Sequence, residues 1–263
     1  MAQEEQFVHR SGMEPAVRVD GLARRLSGAG FDRIETLSGA TFKDCRTVVI
    51  VPTRGLVPIR VVHAWQSLIQ PMNQARFMIS ATGDEVGTAY NRLIQTILNS
   101  DIRNWPYVLT LEDDNLPPPD AHIRLLETMQ MGFDAVSGLY WTKGPFNMPM
   151  AYGDPDAHRR TGVLDFEPRD VRPFLSGEKR GNVMEVNGIA MGCALWRMSM
   201  FIDLAPPWYY SVSDVMHTPA GPRPMGMTQD LYFCRRARQM GKRFAVDLRV
   251  KVGHLDVQTG TVY

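Results

Sequence analysis

Three consecutive acids, Glu112, Asp113 and Asp114, close the apolar run "YVLTL" and are followed by "NLPPP" and a helix-like stretch whose first turn Pro118 or Pro119 would suit. Adjacent carboxylates repel unless a proton or a cation relieves the charge. A divalent ion with oxygen ligands, Mg²⁺ or Mn²⁺, is the economical relief. The competing reading is a solvated acidic turn capping the next helix, where negative charge suits the N-terminal dipole. Alternation along an extended chain turns Glu112 and Asp114 to one side and Asp113 to the other. Two further residues carry a similar ambiguity. Asp230, in "MTQDLYF", is either a helix-capping acid or a general base that takes a proton from a hydroxyl. His254, in "VGHLD", is either a satisfied histidine or a metal ligand.

A frame must hold these residues. From residue 46, short β-branched or apolar runs ("RTVVIVP", "ARFMISAT", "YVLTLE", "DAVSGLYW") alternate with helical stretches ("IRVVHAWQSLIQ", "VGTAYNRLIQTILNS", "DAHIRLLETMQMG"). That rhythm predicts an α/β fold, a mostly parallel sheet flanked by helices. Ligands of such sheets bind at the carboxyl ends of the strands, where the triplet lies. Beyond Trp141 the rhythm breaks. Residues 143–182 are rich in Pro, Gly and charge, with seven basic and six acidic residues and one strand-like piece, "MPMAYGD", and read as an acceptor-binding lid or a solvated loop. Regularity returns with "MEVNGIAMGCALWR", a short helix and "PPWYY". Next, "HTPAGPRPMGM" reads as a loop leading into the helix "QDLYFCRRARQMG" and the strands "RFAVDL" and "VKVGHLD". The expected organisation is one domain over 44–263, with a nucleotide-binding half (44–141) and a half for sugar and acceptor (142–263). Residues 1–43 read as a partly disordered N-terminal extension carrying one helix that ends at Gly28 or Gly30. Its "GAGFDR" lacks the third glycine of a dinucleotide fingerprint and follows a helix-like segment rather than a strand.

The composition, 44% hydrophobic and 22% charged with a formal net charge of +1 over 263 residues, gives no charge-driven case for a nucleic-acid or membrane partner. Cys45, Cys193 and Cys234 are odd in number, widely spaced and never in a CxxC pair, so they read as reduced core residues. The chain shows no apolar run long enough to span a bilayer, and its polar, acidic start does not suit a secretory signal. A cytoplasmic, soluble protein is the expectation, with a protein, nucleic-acid or small cytosolic acceptor suiting it better than a membrane lipid.

The segment "LTLEDDNLPPPDAHIRLL" resembles the D-x-D region of glycosyltransferases with the GT-A (nucleotide-diphospho-sugar transferase) fold, similar to bacterial and phage members of family 2. Other pieces resemble that family in the same order: "TVVIVPTRG", "GTAYNRLIQTIL", "VSGLYW", "NGIAMGCALWRMSMF", "PPWYY" and "TQDLYFCRRARQMGKRFAVDLRVKVGHLD". The likeness covers roughly residues 46–255. It implies a metal-dependent glycosyltransferase moving a sugar from a nucleotide-sugar donor, a UDP- or GDP-sugar, to an acceptor hydroxyl, with Mn²⁺ or Mg²⁺ as cofactor. By the resemblance, Asp114 binds the metal directly and His254 is the second protein ligand. Glu112 or Asp113 holds the ribose or a metal-bound water, with Glu112 a further candidate ligand. Pro52, Thr53 and Arg54 fall at the nucleobase and ribose position. Asp84 reads as a contact to a uracil-type base edge or as a turn residue. Asn91 belongs to a pair that is usually Arg-Asn, so with Tyr90 here the phosphate-facing arginine has moved to Arg92 or been lost. Gly188 and Gly192 would let backbone approach the donor sugar. Trp208, Tyr209 and Tyr210 read as a stacking platform for a sugar ring or as aromatic core. Asp230 would be the base of an inverting displacement, with a retaining course left open. Gln229 stands before it where the family usually has Glu, which bears on acceptor recognition. Two alternatives stand beside this reading. One is a nucleotidyltransferase of related fold, for which "VPTRGLVP" is a poor phosphate loop. The other is a non-catalytic nucleotide-sugar or glycan-binding protein with the same fold.

Overall fold

The strands form because apolar, β-branched runs can be covered on both faces. β1 (Thr47–Thr53) is buried along almost its whole length, and β3 (Tyr107–Leu111) along all of it. The computed structural model describes residues 44–218 and 221–263, with side chains described outside 214–218 and 222–225. The N-terminal helix expected before Gly28 or Gly30 lies outside the described residues. Residues 46–263 form one compact unit.

The strands in chain order are β1, β2 (Arg76–Thr82), β3, β4 (Asn115–Leu116), β5 (Ala135–Leu139), β6 (Ala151–Tyr152) and β7 (Val183–Val186). They continue with β8 (Gly188–Ile189), β9 (Cys193–Arg197), β10 (Val212–Thr218), β11 (Gly221–Met227), β12 (Phe244–Lys251) and β13 (Gly253–His254). The helices are α1 (Ile59–Gln66), α2 (Val86–Leu98), α3 (Ala121–Met129), α4 (Pro155–Thr161), α5 (Arg172–Leu175), α6 (Met198–Asp203) and α7 (Gln229–Gln239), with a 3₁₀ turn at Asp101–Asn104. The central sheet has seven strands in the order β2-β1-β3-β9-β5-β12-β7. β2, β1, β3, β5 and β12 run one way; β9 and β7 run the other. The fold is therefore the α/β arrangement expected, a mainly parallel sheet flanked by helices. β9, from the second half of the chain, lies between β3 and β5 of the first, so the two halves share one sheet.

On α2, the buried residues Ala89, Tyr90, Leu93, Ile94 and Ile97 recur at helical spacing, and Glu85 caps the helix by accepting the Thr88 N–H at 2.9 Å. Trp196 of β9 centres an aromatic cluster with Phe201, Phe233 and Phe244, and its Nε1–H donates to Thr110 at 3.2 Å.

Three expectations are corrected. Residues 143–182 hold a strand within "MPMAYGD" as expected, β6 paired with β8, but they also hold helix: α4 starts on an Asp154 cap with Pro155 in the first turn and ends at Gly162, whose φ is 73°. A seven-residue helix is too short for periodicity to reveal. Of the "HTPAGPRPMGM" stretch, His217 and Thr218 end β10 and Gly221–Met227 form β11, a paired ribbon rather than a loop. An isolated two-stranded ribbon has free edges, so Pro222 and Pro224 cost it no central ladder bond. The prolines after the acidic triplet precede α3 rather than opening it, since the helix begins at Ala121.

Candidate active site

β3 ends at Leu111, and the triplet forms a turn in which the Asn115 N–H donates to the Glu112 carbonyl at 3.1 Å. The turn sends the three carboxylates to three different partners. Asp113 reaches sideways to the end of β1: its Oδ2 accepts from the Thr53 hydroxyl and the Arg54 N–H, both at 3.0 Å, and its Oδ1 accepts from the Arg54 guanidinium at 2.8 Å. Glu112 accepts from the Tyr90 hydroxyl at 3.2 Å. Burial, then the charges of Asp114 and Asp230, pushes its carboxyl up to about 8, so at neutral pH it is largely protonated. Asp114 Oδ2 accepts from Lys143 Nζ at 2.5 Å. Burial acts to raise the Asp114 carboxyl, but His254 and Lys143 outweigh it and hold it below its ordinary value. The repulsion that singled out the triplet is thus relieved by an arginine, a proton and a lysine.

His254 arrives by pairing of β13 with β4, which sets it opposite Asn115, while the Leu255 N–H donates to the Asp114 carbonyl at 2.7 Å. Its Nδ1 lies 2.7 Å from the Trp141 carbonyl. A carbonyl only accepts, so Nδ1 carries the proton, and in the neutral ring Nε2 presents a lone pair. That lone pair faces Asp114 Oδ2 at 3.7 Å, too far for a hydrogen bond. Asp114 Oδ1 is enclosed and without a hydrogen-bond partner. A cation between them suits both acceptors, either a proton on Nε2, the form in which the ring favours the Asp114 carboxylate, or a metal ion. Among the described residues, however, no group of three His, Cys, Asp or Glu converges to enclose a metal. An ion here would take further ligands from water or substrate, as Mg²⁺ commonly does, and would have to displace Lys143.

Asp230 comes from the first turn of α7, whose N-cap is Thr228. It is buried, and burial pushes its carboxyl up against the opposing effects of the Thr228 hydroxyl and the Leu231 N–H. It stands near enough to Glu112 for its charge to raise that residue's pKa. Gln229, beside it, faces Ser211, whose hydroxyl lies 3.4 Å from both Gln229 Oε1 and the Glu85 carboxylate.

The other expected residues divide. Pro52, Thr53 and Arg54 end β1 at this same edge, with Arg54 exposed. Asp84, after β2, pairs with Arg92 at 2.8 Å on the exposed start of α2. Asn91 spends its amide on backbone: Nδ2 donates to the Tyr209 carbonyl at 2.6 Å, and Oδ1 accepts from the Trp208 and Tyr209 N–H groups at 2.9 and 3.1 Å. Trp208 and Tyr209 are core. The Trp208 Nε1–H donates to the Phe201 and Leu204 carbonyls, and Tyr209 packs on Tyr90 and Phe233. Of the expected platform only Tyr210 is exposed. Gly192 and Gly188 are needed for packing within the protein. A Cβ at Gly192 would sit 2.4 Å from Asn115 Oδ1, and one at Gly188 would sit 2.9 Å from both Leu231 and Phe166.

Residue-level reasoning did not single out Lys143, Tyr140 or Asn115. Tyr140 accepts the Gly192 N–H at 2.8 Å and meets the His254 ring edge-on. Asn115 is fully buried with both amide atoms unpartnered. A lone lysine after a strand has no period or motif to mark it; only the fold brings Lys143 to Asp114.

The sequence matches no family model and no curated protein. Among solved structures, A197 from STIV superposes with a TM-score of 0.53 at 15% identity over 82% of this chain and 92% of that one, a shared fold. The 4-diphosphocytidyl-2C-methyl-D-erythritol synthase of Anaerococcus prevotii aligns with a TM-score of 0.35 at 12% identity, over 77% of this chain and 100% of that one. Among the described residues no helix is long and apolar enough to cross a membrane.

Proposed function

We propose that the crevice at the carboxyl ends of β1 and β3 binds a nucleotide-sugar donor and that the protein transfers the sugar to an acceptor hydroxyl. The observation that carries this reading is the meeting of carboxylates from separate elements. Asp114, whose Oδ1 is unsatisfied and whose Oδ2 faces His254 Nε2, adjoins the protonated Glu112, which lies within electrostatic reach of Asp230 at the head of α7. Mn²⁺ or Mg²⁺ held by Asp114 and His254 would supply positive charge to the departing diphosphate. Burial raises the affinity of the Asp230 carboxylate for a proton, the direction a general base requires. In the inverting course, the acceptor oxygen bonds to the anomeric carbon and its proton passes to Asp230. The bond from that carbon to the diphosphate oxygen breaks, and the nucleoside diphosphate leaves with the electron pair. Arg54, oriented by Asp113, stands exposed at the crevice edge to meet the nucleotide.

The test is nucleotide release from a panel of UDP-, GDP-, CDP- and dTDP-sugars with and without Mn²⁺, alongside Asp114→Asn. Release of one nucleotide that requires the metal and drops about a hundredfold in the variant supports the reading. Calorimetry showing no metal-dependent nucleotide binding would return the triplet to a structural turn.

A further inference from the structure

Beside the candidate active site lies a cleft of about 540 Å³ walled by α4, the segment following it and α7. Its apolar side is Leu164, Phe166 and Met227; its polar side is His158, Arg235 and Arg238, and no acidic residue lines it. Arg235 and Arg238 have no ion-pair partner among the described residues. The nearby Glu185 is engaged by Arg159 at 3.5 Å and Arg243 at 2.9 Å. His158 Nδ1 and Arg238 Nε are enclosed without a hydrogen-bond partner. Arg238 Nη1 donates to the Lys242 carbonyl at 3.0 Å, which fixes the guanidinium at the cleft wall.

We infer that this cleft binds the phosphate group of a phosphorylated acceptor whose hydroxyl is presented to Asp230, an assignment that rests on the transferase reading above. Two guanidiniums and an imidazole match a phosphate dianion better than a single carboxylate, and arginine's forked donors suit phosphate oxygens. The volume suits a small sugar-sized molecule. The location links it to the chemistry. Arg235 and Arg238 follow Asp230 by five and eight residues on α7, roughly 7 and 12 Å along the axis at the helical rise. Around the helix Arg238 is about 80° from Asp230 and Arg235 about 140°, so Arg238 lies nearer the face that carries the acid and Arg235 stands at the exposed rim. Phe166 and Leu231 both close on Gly188, so the cleft wall continues to the first turn of α7.

The experiment titrates the full chain with inorganic phosphate and, in a parallel arm at equal ionic strength, with acetate, read by calorimetry. The wild type, Arg235→Gln and Arg238→Gln are compared, with melting temperature as the folding control. Saturable phosphate binding, weaker acetate binding and a loss of about tenfold in phosphate affinity in each variant are expected. Arg235 is exposed, so its variant keeps the test valid if Arg238→Gln does not fold. Absent or non-saturable phosphate binding, or binding that both variants retain, overturns the site. Phosphate binding through these arginines in a protein that releases no nucleotide from any donor overturns the acceptor role together with the transferase reading, and leaves an anion site.

Discussion

Asp230 and Asp247 are both buried carboxylates, yet their surroundings are opposite. Asp247, on β12, has every acceptor position engaged. Its Oδ1 takes the Arg249 N–H and Nε–H at 3.0 and 2.8 Å, and its Oδ2 takes the Thr128 hydroxyl at 2.7 Å and Arg249 Nη2 at 2.6 Å. Arg249 is held in turn by Glu127 at 3.1 Å. This network sits where the β12–β5 register shifts between Asp247 and Lys251 and holds the irregular strand in place. Among the described residues Asp230 has no cationic partner; its hydrogen bonds are to its own helix turn. A saturated buried carboxylate is a structural part, while an unsaturated one keeps an uncompensated desolvation cost that folding alone does not require. The triplet repeats the contrast at short range: Asp113 is saturated by Thr53 and Arg54, and Asp114 is left with an open oxygen.

Exchanging the carboxylates for amides separates the two classes. Asp230→Asn is expected to lower turnover about 10²- to 10⁴-fold while the melting temperature holds or rises, because the amide removes a buried charge. Since burial raises its pKa, the wild-type rate should fall on acidification at a higher pH than a free aspartate would show, measured as a kcat/KM profile. Asp247→Asn should do the reverse, costing about 3 kcal/mol in urea unfolding with turnover intact in the folded fraction. If Asp230→Asn destabilised as much as Asp247→Asn, the contrast would collapse.

The aromatic turn offers a second pair. Trp208→Ala is expected to cost about 3 to 5 kcal/mol, and Tyr210→Ala less than about 0.5 kcal/mol, both by chemical denaturation. Lys143→Met should tighten Mn²⁺ binding several-fold, read by electron paramagnetic resonance, because the ammonium and the metal compete for Asp114. Unchanged affinity would show that Lys143 and the metal do not share that oxygen. The smallest effect concerns His122, which is buried against Thr47 at 3.1 Å and pushed down to about 3 by burial and Arg76. Its folded pKa lies below the unfolded 6.5, so the neutral ring's contribution is complete above that value and is lost as pH falls toward about 3. His122→Leu should show a shallower fall in melting temperature over that window.

Much of the fold was legible because the sheet's signals are local. "TVVIVPT" and "YVLTL" are apolar at nearly every position, as buried strands must be, and α2 repeats its apolar residues at helical spacing. α4 and the β10–β11 ribbon were hidden, the first by its brevity and the second because its prolines read as breakers. In the site, Asp114, His254 and Asp230 stood out by residue type and by resemblance, whereas the roles of Asn91, Trp208 and Tyr209 turned on burial, which no local pattern reports.

The sequence by itself determined the alternation of strands and helices, the placement of the acids at a strand's end and the breaks that surround them, because hydrophobic period and turn chemistry act between near neighbours. Only the tertiary structure decided which acid was neutralised by which partner. Arg54 comes from another strand, Lys143 lies 29 residues beyond Asp114, and His254 returns through β13. Charge, burial and an open carboxylate oxygen are properties of assembled neighbours, set by packing across the sheet rather than along the chain.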